Sequence, residues 1–348
     1  MARRLSWCRP ATPQPDQLML ILSDNKPAPA AARGGVVAIG NFDGLHRGHQ
    51  QLMATARQEA SRRQAPFGLV TFEPHPRVLF RPDEPMFRLT PAAMKCRLAK
   101  GLGADFTSII TFDKALAGLE PEDFVARKLI DELDVAHVVT GYDFHFGKGR
   151  KGNPTTMTEL GASSGFGVTV VDQVTDDDGI APFSSSSIRS ALRHGRLDDA
   201  AHQLGYWWTV IGTVVEGDRR GHQIGFPTAN FLLDPGCEPA DGIYAVRVHN
   251  GDTIRHGAGY IGKRPTFDTE RSFLEVYLFD FDGDLYGKEL AVEFIDYIRG
   301  DQKFDSVEEL TAQINSDCQM IAAKLDDIAK ADPMREFPLG CLQAEGLL

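Results

Sequence analysis

Long apolar runs are missing from this chain of 348 residues, so no segment reads as a bilayer-spanning helix. Excess positive charge is missing too. Lys and Arg total 37 against 48 Asp and Glu, a formal charge of −11, which argues against a general nucleic-acid or anionic-membrane surface. Local basic sites leave small anionic ligands open. Cysteine is scarce: five residues (Cys8, Cys96, Cys237, Cys318, Cys341), odd in number, scattered, with no CxxC pair. That excludes a disulfide framework and reads as reduced thiols in a cytoplasmic protein. The patch Leu18 to Leu22 follows prolines and runs into Ser23-Asp24-Asn25-Lys26, a poor signal peptide. There is no internal repeat and no Walker A loop.

What is present begins at Gly40-Asn41-Phe42-Asp43-Gly44-Leu45-His46-Arg47-Gly48-His49-Gln50. The apolar, β-branched run Val36 to Ile39 before it reads as a buried strand, and Gln51 to Arg63 after it as a helix. The stretch is then a strand-to-helix turn at the carboxyl edge of a sheet, where open α/β folds place ligands. Its glycines let backbone approach a ligand, and the helix start offers N–H groups to an anion. His46 and His49 can point to one side and hydrogen-bond developing charge on a triphosphate. Two other readings stand beside this one: surface histidines, or half a metal site. Zinc would want further ligands, and none is evident nearby.

The chain is long enough for two domains. Residues 1–33 are Pro- and Ala-rich, and the first dozen or so read as loose. Strands are expected at Phe67 to Phe72, Phe106 to Phe112, His137 to Thr140 and Gly167 to Val171. Helices are expected at Pro91 to Gly101, with Thr90 as N-cap, and at Pro121 to Leu133. This alternation means a mostly parallel sheet with helices on both faces. Ser184-Ser185-Ser186-Ser187-Ile188-Arg189 opens a further helix, placed by its position after the fifth strand on the sheet edge of His46. It is either a well-capped helix alone or a phosphate site with Arg189 as a fork-shaped cation.

Beyond Tyr206 the texture changes to short alternating runs: Trp208 to Glu216, Thr228 to Leu233, Ile243 to His249, His256 to Ile261, Phe273 to Phe279 and Leu290 to Ile295. These suggest an antiparallel barrel. Ser306 to Ile328 reads as a terminal helix with a capping box at Ser306 and Glu309, and the tail from Asp332 as irregular. Gly217, Gly221 and Gly225, with two arginines between them, suit a flap over phosphates. Thr228 and Asn230, two apart in a strand, share a face and offer hard oxygens to Mg²⁺, or simply face solvent. Glu275 in an apolar strand is either partly exposed or a base held in a pocket. Arg299 and Asp301 could frame a flat polar ligand or cap the barrel.

Taken together these segments resemble one family, the bifunctional bacterial riboflavin kinase/FMN adenylyltransferases. Carrying the resemblance are GNFDGLHRGHQ (40–50), TFEPHPR (71–77), GYDFHFGKGRKG (141–152), SSSSIR (184–189), GHQIGFPTANF (221–231), GIYAVRV (242–248), IGKRPTF (261–267), LEVYLFDFDGDLYGK (274–288) and IRGDQKFDSVEEL (298–310). Their shared order makes the likeness specific. It implies an α/β nucleotidylyltransferase-type (Rossmann-like) domain at 34–195 making FAD from FMN and ATP. After a linker at 196–206, it implies a six-stranded antiparallel β-barrel with a terminal helix at 207–330, making FMN from riboflavin and ATP. Residues 1–33 and 331–348 flank these.

The resemblance also implies site residues. Gly40, Asn41, Phe42, His46, Gly48, His49, Ser185, Ser186 and Arg189 would serve the nucleotide of the first reaction. Phe72, Asp143, Phe144 and Phe146 would serve its flavin. In the barrel, Thr228 and Asn230 would hold Mg²⁺ and phosphate, Glu275 would be the base, and Arg299 and Asp301 would border flavin. Substrates and products would be riboflavin, FMN, FAD, ATP, ADP and pyrophosphate, with no nucleic acid or membrane partner and room for a weak homo-oligomer. Three positions depart from the family pattern: Ser186 replaces Thr, His145 replaces an Arg, and Asp301 replaces a Glu that is one methylene longer. A different nucleotidylyltransferase fused to an unrelated barrel, and a non-enzymatic flavin-binding regulator, are the competing readings. The Pro-Thr-Ala-Asn strand and Glu275 count against both.

Overall fold

The computed structural model describes residues 19–22, 25–176, 179, 181–217, 225–251, 253–265 and 270–348. Internal contacts divide the chain into two units, Met1–Pro85 with Pro91–Phe183, and Met86–Thr90 with Ser184–Leu348.

The first unit is a parallel sheet flanked by helices. Its strands are β1 (Leu20–Leu22), β2 (Val36–Ile39), β3 (Phe67–Glu73), β4 (Phe106–Thr111), β5 (His137–Gly141) and β6 (Gly167–Val171), in the order β1-β4-β3-β2-β5-β6. The helices are α1 (Arg47–Arg63), α2 (Pro76–Phe80), α3 (Ala92–Gly101), α4 (Lys114–Ala117), α5 (Pro121–Phe124, continued as a wider turn over Val125–Glu132) and α6 (Pro154–Ser164). All four residues of β2 are buried, as a central parallel strand covered on both faces requires. In α1 the buried Leu52, Met53, Ala56 and Ala60 form one stripe, and Arg62 and Arg63 in the last turn suit the helix dipole.

Two expectations change in this unit. The sheet has six strands, because part of the apolar patch Leu18 to Leu22 pairs with β4, Leu20 opposite Phe106. Three residues are too short for periodicity to reveal. The α3 cap is Pro91 rather than Thr90. The expected loose stretch of the first dozen residues lies outside the described residues.

In the second unit, α7 (Ser185–Arg193) and α8 (Leu197–Leu204) precede the strands β7 (Thr209–Thr213), β8 (Thr228–Leu232), β9 (Gly242–Asn250), β10 (Thr253–Pro265), β11 (Glu270–Leu278) and β12 (Glu289–Arg299). The sheet order is β7-β12-β9-β10-β11-β8, antiparallel throughout. The Val215 amide donates to the Asn230 carbonyl at 2.8 Å, so the chain just after β7 meets β8 and the sheet nearly closes on itself. Phe231, Ile261, Leu274, Val276, Val292 and Phe294 are buried core side chains of this unit. Helix α9 (Val307–Lys330) covers an opposite face, with Ile321 and Leu325 packed against Ala245 and Ile295. Ser306 caps it by accepting from the Glu309 amide at 3.1 Å.

The division of the chain differs from the expected boundaries. α7 groups with the second unit, and the expected linker 196–206 is mostly α8, whose Leu197, Ala200, Ala201 and Leu204 are buried. An amphipathic turn of that length is a packed helix, not a spacer. The tail from Asp332 is not irregular either. It forms a 3₁₀ turn at Pro333–Glu336 and α10 (Pro338–Ala344).

Buried polar groups explain why the tail is ordered. Asp332 accepts from Trp207 Nε1 at 3.0 Å and from Arg247 Nη1 at 3.0 Å, while Arg247 Nε donates to Glu293 at 2.7 Å. Gln343 accepts from the Trp207 amide at 2.7 Å and donates to the Trp207 carbonyl at 2.8 Å. Removing one partner of a buried ion pair strands the other. Asp332→Ala is therefore expected to destabilise the second unit by about 3–5 kcal/mol. Denaturant unfolding followed by tryptophan fluorescence would measure it, and a loss under about 1 kcal/mol would show the tail to be dispensable.

Candidate active sites

In the sheet, β2 lies between β3 and β5, so three adjacent parallel strands end side by side. The carboxyl end of β2 carries Gly40 to His46, that of β3 carries Glu73, and that of β5 leads into Tyr142 to Phe146. The turn after β2 is tight. The Gly40 amide donates to Val70, and the Thr71 hydroxyl donates to the Asn41 carbonyl at 3.1 Å. Phe42 (φ 49°) and Leu45 (φ 41°) both sit in the left-handed region while fully buried. Non-glycine residues hold that conformation only where the surroundings over-determine it, and such strain gathers at functional sites.

This turn delivers the two imidazoles together. His46 and His49 stack at 3.7 Å between centroids, 22° apart in plane, and His49 meets the Phe42 ring edge-on at 5.2 Å. A Cβ on Gly48 would come within 3.2 Å of the His46 ring, so glycine there keeps the stack. Nδ1 of His49 is buried with no hydrogen-bond partner among the described residues. Burial, then the charge of His46, then that of Lys95 hold the His49 pKa well below its ordinary value. The ring is therefore neutral near pH 7, with an unused nitrogen ready for a ligand.

Lys95 is a residue that sequence reasoning missed. It is only 1% exposed, on α3, and its Nζ donates to Glu73 Oε1 at 2.8 Å. A lysine is almost never this buried unless paired. The signal was its place on a helix whose other buried residues are Met94, Cys96, Leu98 and Ala99.

The expected flavin residues of this unit do not all stand alike. Phe144 and Phe146 stack at 5.7 Å, and Phe146 touches Phe124 at 5.5 Å. Asp143 is exposed, its carbonyl accepting from His145 Nδ1 at 2.8 Å. Arg150 Nη2 lies 3.2 Å from the same His145 nitrogen, so a guanidinium stands beside the position where the family pattern has Arg. Phe72 is instead buried in the core against Phe112 and Phe124. Ser184 caps α7 by accepting from the Ser187 amide at 3.1 Å, and Ser185 and Ser186 form its first turn. Arg189 is buried, its Nε donating to the Phe87 carbonyl at 2.6 Å.

The barrel assembles a second group by register. Asn230 on β8 is directly opposite Glu275 on β11. Antiparallel partners point to the same face, so a carboxylate and a carboxamide meet. The neighbours Phe231, Leu274 and Val276 fill the other face and are buried, whereas Glu275 is half-buried. Thr228 shares the Asn230 face as expected. Asn230 Nδ2 points to the Thr228 carbonyl at 3.2 Å and to its hydroxyl at 3.4 Å.

Gly217 forms a cradle for this pair. A Cβ there would sit 2.4 Å from the Asn230 carboxamide. Gly217→Ala is therefore expected to displace Asn230 and to lower the barrel's activity by roughly a hundredfold, the scale of a misplacement near 1 Å. A variant with unchanged turnover would show that Asn230 tolerates displacement. Gly225 adopts φ 89°, and Gly221 lies outside the described residues.

Arg299 is a clamp. Its Nε and Nη2 reach the buried Asp317 carboxylate of α9 at 3.0 and 2.7 Å, and Nη1 donates to the Gly300 carbonyl at 3.0 Å. Its guanidinium carbon also lies over the Phe304 ring, 5.8 Å from the centroid, a cation–π contact.

A stacked histidine pair at the carboxyl edge of a parallel sheet, and a carboxylate in register with the Asn of a Thr-x-Asn strand on a barrel, define a nucleotide-dependent transferase with two domains. Comparison with known proteins agrees. Residues 28–186 match the FAD synthetase family model, and residues 204–325 match the riboflavin kinase model. The bifunctional riboflavin kinase/FMN adenylyltransferase of Bacillus subtilis (strain 168) is 38% identical over 289 residues, covering 82% of this chain and 90% of that protein. The Escherichia coli (strain K12) protein of the same name is 38% identical, covering 83% and 92%. A solved Streptococcus pneumoniae structure described as a macrolide-efflux protein aligns with TM-score 0.75 and 31% identity, over 87% of this chain and 98% of that one. Among the described residues here, no helix is long and apolar enough to cross a membrane.

The chain belongs to the family of bifunctional riboflavin kinase/FMN adenylyltransferases. Its N-terminal domain is of the FAD synthetase type and its C-terminal domain is a flavokinase.

Proposed function

We propose that the histidine pair and the Asn230–Glu275 pair are the working centres of these two reactions. In the first, the FMN phosphate is already an anion and needs no base. It attacks the α-phosphorus of ATP, and the bond to the β-phosphate oxygen breaks to release pyrophosphate. His46 and His49 hydrogen-bond the phosphates and stabilise the charge that spreads in the transition state. The stacked rings and the unpartnered His49 nitrogen support this role. Gly40, Asn41, Phe42 and Gly48 shape the turn at the nucleotide. Ser185, Ser186 and Arg189 go to ATP phosphates on the strength of their motif, and Asp143, Phe144 and Phe146 to the flavin. Phe72 supports that aromatic group from the core.

In the second, Glu275 takes the proton of the ribityl 5′-hydroxyl, whose oxygen attacks the γ-phosphorus as ADP leaves. The work is positioning and electrostatics. The donor types suit Mg²⁺, a hydroxyl and an amide oxygen beside Gly217, once the Asn230 carboxamide turns its oxygen in place of the Nδ2 that points to the Thr228 hydroxyl. Thr228 and Asn230 would hold it, and when bound it would offset phosphate charge. Gly217, Gly221 and Gly225 flank the phosphates, and Arg299 and Asp301 border the flavin end. The scattered cysteines, with no paired spacing, favour a reducing compartment such as the cytoplasm.

The observation that carries the kinase assignment is the register of Glu275 against Asn230. Incubation with riboflavin, ATP and Mg²⁺, followed by chromatography, should yield FMN first and FAD after it. Omitting Mg²⁺ and adding a chelator should stop both. Turnover that persists under chelation would remove the metal from the scheme.

A further inference from the structure

Tyr260 falls outside the motifs that the two reactions use, yet it stands in the kinase row. On β10 it is paired in register with Glu275, which is paired in turn with Asn230. The three side chains therefore leave one face of three adjacent strands. The Tyr260 ring meets Phe273 edge to face, with centroids 5.7 Å apart. It lies along the strand over Gly262, where a Cβ would come within 2.6 Å of the phenolic oxygen. Glycine at 262 leaves the room that the ring occupies.

The hydroxyl is tied to the segment beyond β12. It hydrogen-bonds the Asp301 side chain; burial, then the charges of Asp301, Asp241 and Glu275, raise its pKa above the ordinary tyrosine value. It is a neutral phenol, and it donates to the carboxylate. A half-buried tyrosine with its tip fixed is a rigid, amphipathic surface held at low entropic cost. Together with Phe273 it makes an aromatic wall beside the row that carries Glu275 and Asn230. A flat ring system with a hydroxyl-bearing chain needs such a wall if that hydroxyl is to reach the base.

We propose that Tyr260, anchored by Asp301, is a positioning residue for riboflavin in the kinase reaction, and that Asp301 acts on flavin binding through it. This rests on reading Glu275 and Asn230 as the kinase site. The shorter carboxylate at 301 is then matched to a partner that supplies the missing reach.

Tyr260→Phe removes the hydroxyl and keeps the ring. The KM for riboflavin should rise about tenfold, as for one lost hydrogen bond to a charged group, while kcat and the KM for ATP stay within about twofold. Asp301→Ala should give the same split, and the double variant should be no worse than either, because both remove one interaction. Gly262→Ala, which pushes the hydroxyl aside without deleting it, should also raise the riboflavin KM. An unchanged riboflavin KM in Tyr260→Phe, additive losses in the double variant, or a fall in kcat accompanied by a lower melting temperature would each overturn the proposal. Glu275→Gln separates the two levels. If it keeps normal turnover, the site reading fails. If it is inactive while Tyr260→Phe behaves as wild type, only the role of Tyr260 fails.

Discussion

Glu275→Gln is expected to lose FMN formation by a factor of about a hundred or more, the scale of a removed general base. The substitution keeps size and polarity, so β11 should hold its register between β8 and β10. The neighbours that fix the strand are Leu274 and Val276, both buried on the other face. What disappears is the acceptor for the hydroxyl proton. The same preparation, given FMN directly, should still make FAD at the normal rate. Riboflavin turnover near wild type would remove Glu275 from the role of base. A parallel loss of FAD synthesis would point to misfolding instead.

His49→Asn is the mirror experiment. FAD synthesis should fall by roughly a hundredfold to a thousandfold, as when a preorganised hydrogen-bond donor to a developing charge is lost. Riboflavin phosphorylation should persist, because Glu275 and Asn230 belong to the other unit. Loss of both activities would argue for misfolding or obligate coupling. The substitution carries a second readout in pH. Native His49 resists protonation through burial and the charges of His46 and Lys95, whereas the unfolded side chain protonates near 6.5. Below that pH the unfolded state binds the extra proton, so stability falls as pH drops from 6.5 towards the lowered native value. His137 and His256 are shifted the same way, burial again leading. Acid sensitivity in this window should therefore lessen in His49→Asn without vanishing, and an unchanged pH profile of unfolding would contradict the neutral native ring.

How much of this was legible beforehand depends on how local each feature is. Gly40 to Gln50 is a single turn between a strand and a helix, so its edge position could be read from the residues alone. The shared face of Thr228 and Asn230 follows from strand geometry. The meeting of Glu275 with Asn230 could not be read so, because a shift of one residue in pairing would send the carboxylate to the opposite side. Register there is set by buried Phe231, Leu274 and Val276, a tertiary fact. Lys95 was passed over because charged residues on helices are usually solvated; only the carboxylate of Glu73, distant in sequence, explains its burial. Helix α6 carried a readable start in Asn153-Pro154, where Asn153 accepts from the Thr156 amide at 3.0 Å. The tail looked irregular because what orders it, Trp207 and Arg247, lies far upstream.

That tail has a consequence for synthesis. β7 pairs with β12, and Trp207 takes its polar partners from Asp332 and Gln343. On the ribosome, the barrel's earliest strand therefore waits for a partner strand translated about eighty residues later, and Trp207 for partners 125 and 136 residues away. Until β12 has left the exit tunnel the edge of β7 stays open to wrong partners, and until position 343 has left it Trp207 lacks part of its polar surroundings. Nascent chains of this half should lean on chaperones until then.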